Sequence, residues 1–191
     1  IASVNQVIEG IRLNLPVQLQ STVDAYEKAL VQALDNLELK DKTDLNLVDS
    51  SKLTATASSY QQDGSNPSNV LDGSTSTMWH SAWNITTMPH YIDLEIDEST
   101  EVKGLIYTPR QSGTNGNLLE YQIQVSDDGQ DYETIATGTL ENNAQAKTID
   151  FGPVTTKHVR LVYVRAVNNN ASASEINLIQ ANVSPDVEGL Q

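Results

Sequence analysis

The chain contains no cysteine. That removes disulfides, thiolate metal centres and a cysteine nucleophile, and leaves the compartment open, because secreted bacterial proteins often lack cysteine too. Basic residues are also scarce: 11 Lys+Arg stand against 25 Asp+Glu, for a formal net charge of −14, and no basic cluster occurs. Nucleic-acid binding needs a basic footprint and is excluded on that ground. An anionic membrane surface is disfavoured for the same reason. The acidity is mainly a statement about solubility. Apolar runs fall far short of the roughly 18 residues that a spanning helix needs, and no initiator Met or signal segment precedes Ile1, so the chain reads as a piece of something longer.

What the sequence does have falls into two grammars. Over the first 50 residues the pattern is helical. Val4, Val7, Ile8 and Ile11 recur on one helix face before Pro16 interrupts, and Leu19, Val23, Tyr26, Leu30, Leu34 and Leu37 form a second stripe. A helical hairpin is expected here, docked on a neighbour because two helices alone make a thin core. The polar stretch from Asp41 to Ser51 reads as linker. From there to residue 182 the period becomes two. Ile92, Leu94 and Ile96 alternate with Asp93 and Glu95; Leu119, Tyr121, Ile123 and Val125 alternate with polar residues; Val159, Leu161 and Tyr163 do so again. Asp63-Gly64, Asn115-Gly116, Asp128-Gly129 and Gly152-Pro153 punctuate these runs. The expected fold is mainly β, an antiparallel sandwich preceded by the helical segment, with residues 183–191 as a tail.

Catalytic constellations are missing. The three histidines, His80, His90 and His158, have no zinc-protease spacing, and there is no nucleophile elbow or phosphate-cradling loop. His90 reads as structural at a strand entrance, and His158 as a solvent-facing or edge residue. Asp93 with Glu95 suggests an acid pair only superficially; a row of carboxylates on a solvated sheet face is the commoner meaning. No enzyme is expected.

One stretch stands out: Asn69 through Ser81, with Asp72-Gly73 in a turn and Trp79-His80 directly after, read together with Ser174-Glu175-Ile176 far downstream. With Leu53 to Ser59, His90 to Leu94, Gly104 to Arg110, Tyr121 to Gly129 and His158 to Leu161, the order and spacing resemble the coagulation-factor type C, or discoidin, superfamily, and within it carbohydrate-binding module family 32. The resemblance runs from about Leu53 to Ile179. It implies a jelly-roll sandwich with a structural calcium. Asp72, Thr77 and Glu175 would supply side-chain oxygens, and Val70 and Ser74 main-chain oxygens, in keeping with the six to eight oxygen ligands calcium takes.

The resemblance also implies a galactose-type site of a His, an Arg, an Asn five residues later and an aromatic. His80, Arg110 and Asn115 stand at those positions. Arg110 can donate paired hydrogen bonds to adjacent hydroxyls, Asn115 can donate and accept, and His80 can use one ring nitrogen. The family aromatic is absent: Asn168-Asn169-Asn170 occupies its place. Trp83 and then Tyr60 are the candidates for a stacking platform, with Asn170 as a further polar contact.

The function the resemblance implies is a non-catalytic module of a secreted or cell-surface bacterial glycoside hydrolase, a monomer tethered to a catalytic domain, binding terminal galactose or N-acetylgalactosamine. N-acetylglucosamine is the nearest rival sugar. Protein or lipid adhesion through Trp83, Ile85 and Met88 is the rival class, and a structural spacer is a third. Sequons occur at Asn84, Asn170 and Asn182, and the first two would crowd such a site in a eukaryotic secreted protein, which weighs toward a bacterial origin.

Overall fold

A computed structural model describes residues 45–181. The expected helical pair between Val4 and Leu37 and the tail 183–191 lie outside the described residues. Within them the fold is a mainly β antiparallel sandwich, and helical geometry is limited to the short 3-10 turns Ser50–Lys52, Pro67–Leu71 and Val167–Asn169. The strands are β1 (Leu53–Ala57), β2 (Trp79–His80), β3 (His90–Thr108), β4 (Leu118–Ser126), β5 (Glu133–Thr139), β6 (Lys147–Ala166), β7 (Ser172–Ala173) and β8 (Glu175–Gln180).

The two long strands organise the rest. β3 and β6 pair along most of their lengths, giving the order β1-β3-β6-β4-β5, while β8 pairs with the second half of β3. Register shifts in β3 between Glu95 and Thr100 and between Val102 and Gly104 break the ladder. Irregularities of this kind bend a strand, so the first half of β3 faces β1 and the second half faces β8. The alternation read from sequence survives: Ile92, Leu94 and Ile96 are at most 1% exposed. Together with Leu105, Leu161, Ile176 and Leu178 they belong to one continuous core. The stretch read as linker also joins in. Val48 N–H donates to Leu178 O at 2.9 Å, Gln180 N–H donates to Asn46 O at 2.7 Å, and Val48 is buried, so contacts with the sandwich begin ahead of residue 51.

One face of the sheet departs from the simple alternation. Asp93 is only 4% exposed, because Tyr132, arriving from the turn before β5, covers it and donates its hydroxyl to Asp93 Oδ1 at 2.9 Å. His158 lies on β6, which is an interior strand, with Nδ1 3.0 Å from Asp93 Oδ2. The Arg160 guanidinium is stacked between the rings of Tyr91 (4.1 Å) and Tyr132 (3.5 Å), with Nε 3.4 Å from Asp93 Oδ1. The expectation of a solvated carboxylate row and an edge histidine is therefore corrected. Asp93 is buried because it is paired on both oxygens, as a buried charge must be.

The two-stranded ribbon β2-β7, with Trp79 opposite Ala173 and His80 opposite Ser172, is fixed to the core by tyrosines. Tyr107 and Tyr163 each donate a hydroxyl to Ser172 O at 3.0 Å, and the Tyr107 oxygen accepts Leu118 N–H at 3.2 Å. Trp79 packs edge-on against Tyr163, and its Nε1–H donates to Ser59 O at 3.0 Å. Tyr163→Phe should cost about 1 kcal/mol, since Ser172 O keeps one donor, whereas Tyr107→Phe should cost about 2–3 kcal/mol because it also strands a buried amide. Urea unfolding of the two variants checks the order; equal losses would contradict it.

Candidate functional site

β2 presents His80 at one end of the sandwich. The residue is 2% exposed, and its Nδ1 lies 2.7 Å from Ser81 O. A carbonyl only accepts, so Nδ1 carries the proton and Nε2 of the neutral ring is the acceptor. Asn115 Nδ2, at 3.0 Å, donates to it. The Asn115 amide is oriented from its other side as well: Asn168 Nδ2–H donates to Asn115 Oδ1 at 3.1 Å. Burial lowers the His80 pKa below its ordinary 6.5, and the positive charge of Arg110 lowers it further, against the opposing pull of the Ser81 carbonyl.

Arg110 stands at the exit of β3. Its Nε–H donates to Ser112 O at 2.6 Å and its Nη1–H to Asn115 O at 3.3 Å. The turn after it is locked by Gly116, at φ +83°, where a Cβ would come within 2.8 Å of Ala171 C and Ser172 Oγ. Ser172 Oγ in turn donates to Asn115 O at 3.0 Å. Three residues from separate parts of the chain, His80, Arg110 and Asn115, are thus drawn into one cluster, with His80 and Arg110 held by main-chain carbonyls and the Asn115 amide by the side chains of His80 and Asn168.

The aromatic candidates flank this cluster. Trp83 is 61% exposed and meets the His80 ring edge-on at 6.3 Å. Gln61 Oε1 accepts the Trp83 N–H, while Gln61 N–H donates to His80 O, which places Tyr60, 42% exposed, on the adjoining segment. Ile85 is exposed, and Met88 packs against the core. Asn170 is buried and its Nδ2–H closes on Asn168 O at 3.2 Å. The loop residue that reaches the cluster is Asn168, at φ 59°, one of the three asparagines that stand in place of the family aromatic. Its signal was the run of three asparagines, a residue type that tolerates the left-handed region.

The second cluster surrounds Asp72. Ser74 N–H donates to Asp72 Oδ1 at 2.8 Å and to Glu175 Oε1 at 2.9 Å. Thr77 Oγ1 lies 2.7 Å from Asp72 Oδ2 and 2.9 Å from Ser74 O, and Val70 is fully buried beneath the turn. Burial works against the Asp72 carboxylate, but the Thr77 and Ser74 bonds outweigh it and keep its pKa below 3.8. Burial and then the hydrogen bond with Asp72 push Glu175 up to about 7. Two carboxylates so close, with no basic side chain among their described partners, repel each other when both are ionised, which helps Glu175 hold its proton up to about neutral pH. Among the described residues no group of three or more His, Cys, Asp or Glu gathers. The donors are all oxygen, a set that suits a hard cation rather than a soft one.

Comparisons with known proteins agree with this architecture. The family model for the F5/8 type C domain matches residues 54–177. Among solved structures, CpGH89CBM32-5 from Clostridium perfringens, in complex with GalNAc-β-1,3-galactose, shares 32% identity over 70% of this chain and 99% of its own, with a TM-score of 0.68. The family 32 module of NanJ from the same organism, in complex with galactose, shares 31% identity over 70% of this chain and 97% of its own, with a TM-score of 0.64. Among curated proteins, the A type blood N-acetyl-α-D-galactosamine deacetylase of Flavonifractor plautii is 33% identical over 136 residues, 69% of this chain and 18% of its own length. The chain therefore spans less than a fifth of that relative.

The lowered His80 pKa fixes a sign. The folded state prefers the neutral ring, so the stability His80 contributes is complete above the unfolded value near 6.5 and is lost as pH falls through the lower folded value. Histidine resonances followed by NMR should put His80 below 6.5, and the stability difference between wild type and His80→Gln should shrink on acidification. A His80 midpoint above 6.5 would overturn the sign.

Proposed function

The chain belongs to the F5/8 type C domain family, and on that premise we propose that it is a non-catalytic carbohydrate-binding module that takes a terminal galactose or N-acetylgalactosamine between His80, Arg110 and Asn115. The single observation that carries this reading is the convergence of those three residues, with Asn115 Nδ2 on His80 Nε2 and Arg110 Nη1 on the Asn115 main-chain carbonyl. The sugars held by the two Clostridium perfringens neighbours support the choice of ligand. The remaining N–H groups of Arg110 span adjacent hydroxyls, the second Nδ2–H of Asn115 adds a donor, and Trp83 offers an exposed ring to the apolar face of the pyranose. The parent protein is a secreted bacterial glycan-degrading enzyme, and the module holds it on host glycans as a monomeric attachment.

Asp72, Thr77 and Glu175, with main-chain oxygens of Val70 and Ser74, are proposed to hold a structural calcium. Its positive charge would neutralise the Asp72–Glu175 pair and fix the turn that leads into β2. The ion would supply rigidity and no chemistry.

Arg110→Ala removes charge-assisted hydrogen bonds worth about 1.5–3 kcal/mol, so binding to galactose- or N-acetylgalactosamine-terminated glycans on an array should fall by about tenfold or more. A blank array from folded wild-type protein would sink the sugar-binding reading, and a signal confined to N-acetylglucosamine ends would reassign the specificity to the Asn168 loop. For calcium, a chelator should lower the melting temperature by several degrees, as expected for loss of a ligand at about a hundred times its Kd. Glu175→Gln should make the melt insensitive to the chelator; a wild-type melt unchanged by it would exclude the site.

A further inference from the structure

Two of the three residues of the proposed sugar site, Arg110 and Asn115, ride on the turn from Pro109 to Asn117 that joins β3 to β4. Gln111 fastens this turn on both sides of Arg110. Its Nε2 donates to Pro109 O at 2.7 Å and to Ala144 O at 3.2 Å, so residue 110 is bridged by its own neighbours and tied to the loop between β5 and β6. Asn117, 1% exposed, makes a second tie two residues past Asn115. Its Nδ2–H donates to Asn142 Oδ1 at 3.0 Å, and among the described residues that buried amide has no other partner.

The loop that receives both ties is shaped by Lys147 at its far end. The ammonium donates to Asn143 O at 3.2 Å, to Asn143 Oδ1 at 2.7 Å and to Gln145 O at 2.5 Å, which occupies all three of its donors. Asn143 Oδ1 also accepts Gln145 N–H at 3.0 Å. Lys147 thus gathers the carbonyls on either side of Ala144, while the carbonyl between them, Ala144 O, accepts from Gln111. Glu141, Asn142, Ala144, Gln145 and Ala146 are exposed. This stretch adds little to the core, and its polar ties run to the turn that bears the site.

We propose that Lys147 and Asn142 are positioning residues for the sugar site, acting through the β5–β6 loop on the turn that carries Arg110 and Asn115. Neither hydrogen-bonds to His80, Arg110 or Asn115 among the described residues. Their effect is on order. With the loop fixed, Gln111 and Asn117 keep their acceptors, and Arg110 and Asn115 stand at a set separation before any ligand arrives. With the loop released, a ligand must itself order those two side chains, and that cost is subtracted from affinity. The inference rests on the sugar-binding reading above and adds residues outside the cluster.

Lys147→Met keeps the apolar stem and strips the donors. NMR titration with methyl β-galactoside and methyl N-acetyl-β-galactosaminide should give a Kd about threefold to tenfold weaker than wild type. In the same spectra the Arg110 Nε–H resonance, which reports the bond to Ser112 O, should broaden or exchange faster with water. A role in stability alone would lower the melting temperature and leave that resonance and the Kd in place. Asn142→Ala, at an exposed position, is the second test in case Lys147→Met does not fold, and should bring the same two changes. Asn142→Asp keeps an acceptor for Asn117 and should bring neither. A folded Lys147→Met or Asn142→Ala protein with a Kd within about threefold of wild type, or with an unaltered Arg110 resonance, would overturn the proposal. Failure of wild-type protein to bind either glycoside would instead defeat the sugar-binding reading, and the Arg110 resonance would still decide whether the loop orders the turn.

Discussion

The main-chain carbonyl of Ser172, which accepts two buried tyrosine hydroxyls at 3.0 Å, is the constraint on which this end of the molecule depends. A two-stranded ribbon as short as β2-β7 has almost no stability of its own. It is held because Tyr107 on β3 and Tyr163 on β6, the two long strands, reach the same atom from inside the core. The rings pack edge-on against each other and, through Tyr163, against Trp79. Desolvation raises the Tyr107 pKa to about 12 and the Tyr163 pKa well above 10, so both remain protonated donors across the physiological range. Position therefore passes from the sheet to Ser172, from Ser172 to His80 across the ribbon, and from the Ser172 hydroxyl to the Asn115 carbonyl.

From that anchor a polar relay sets which atoms face solvent. Ser81 O fixes the His80 tautomer, His80 Nε2 fixes the Asn115 amide, and Asn168 fixes it from the other side. Each partner has one orientation that satisfies its neighbours, so the amide is not free to flip. The relay needs a neutral imidazole, and burial together with the nearby Arg110 charge supplies it. The same guanidinium thus acts twice, as a donor in the cluster and as a field that keeps His80 unprotonated.

How much of this was legible in the sequence follows from range. Alternation is local, so the buried faces of β3 and β6 were readable, and so was the sandwich; at the start of β4 the register shifts and Leu118, not the Leu119 that alternation gives, enters the core. Alternation names a face but not what covers it. Asp93 reads as solvated until Tyr132 arrives from a turn far along the chain, and His158 reads as an edge residue until β6 is found in the middle of the sheet. His80, Arg110 and Asn115 were legible only as a set within a family frame, because nothing in their individual surroundings brings residues so distant in sequence together. Asn168 was missed for a different reason. A substitution was noticed as a lost ring, whereas its left-handed backbone and its amide contact with Asn115 are properties of the folded loop.

Magnitudes decide what such a site is for. Arg110 and Asn115 have already committed several N–H groups to the protein, so the proposed terminal sugar would meet a small number of remaining donors and one exposed indole. Each neutral hydrogen bond nets about 0.5–1.5 kcal/mol, an aromatic contact adds a similar amount, and association itself costs at least about 4 kcal/mol. So few contacts set against that cost would leave the proposed site a weak one. Pre-orientation of the relay helps, since little side-chain freedom remains to be lost on binding. A module of that strength retains little by itself. Linked to a catalytic domain, as proposed, it would convert weak, rapidly reversed contacts into a raised local concentration of substrate, and rapid reversal would then be useful, because an enzyme that must move across a glycan surface is hindered by an anchor that does not let go.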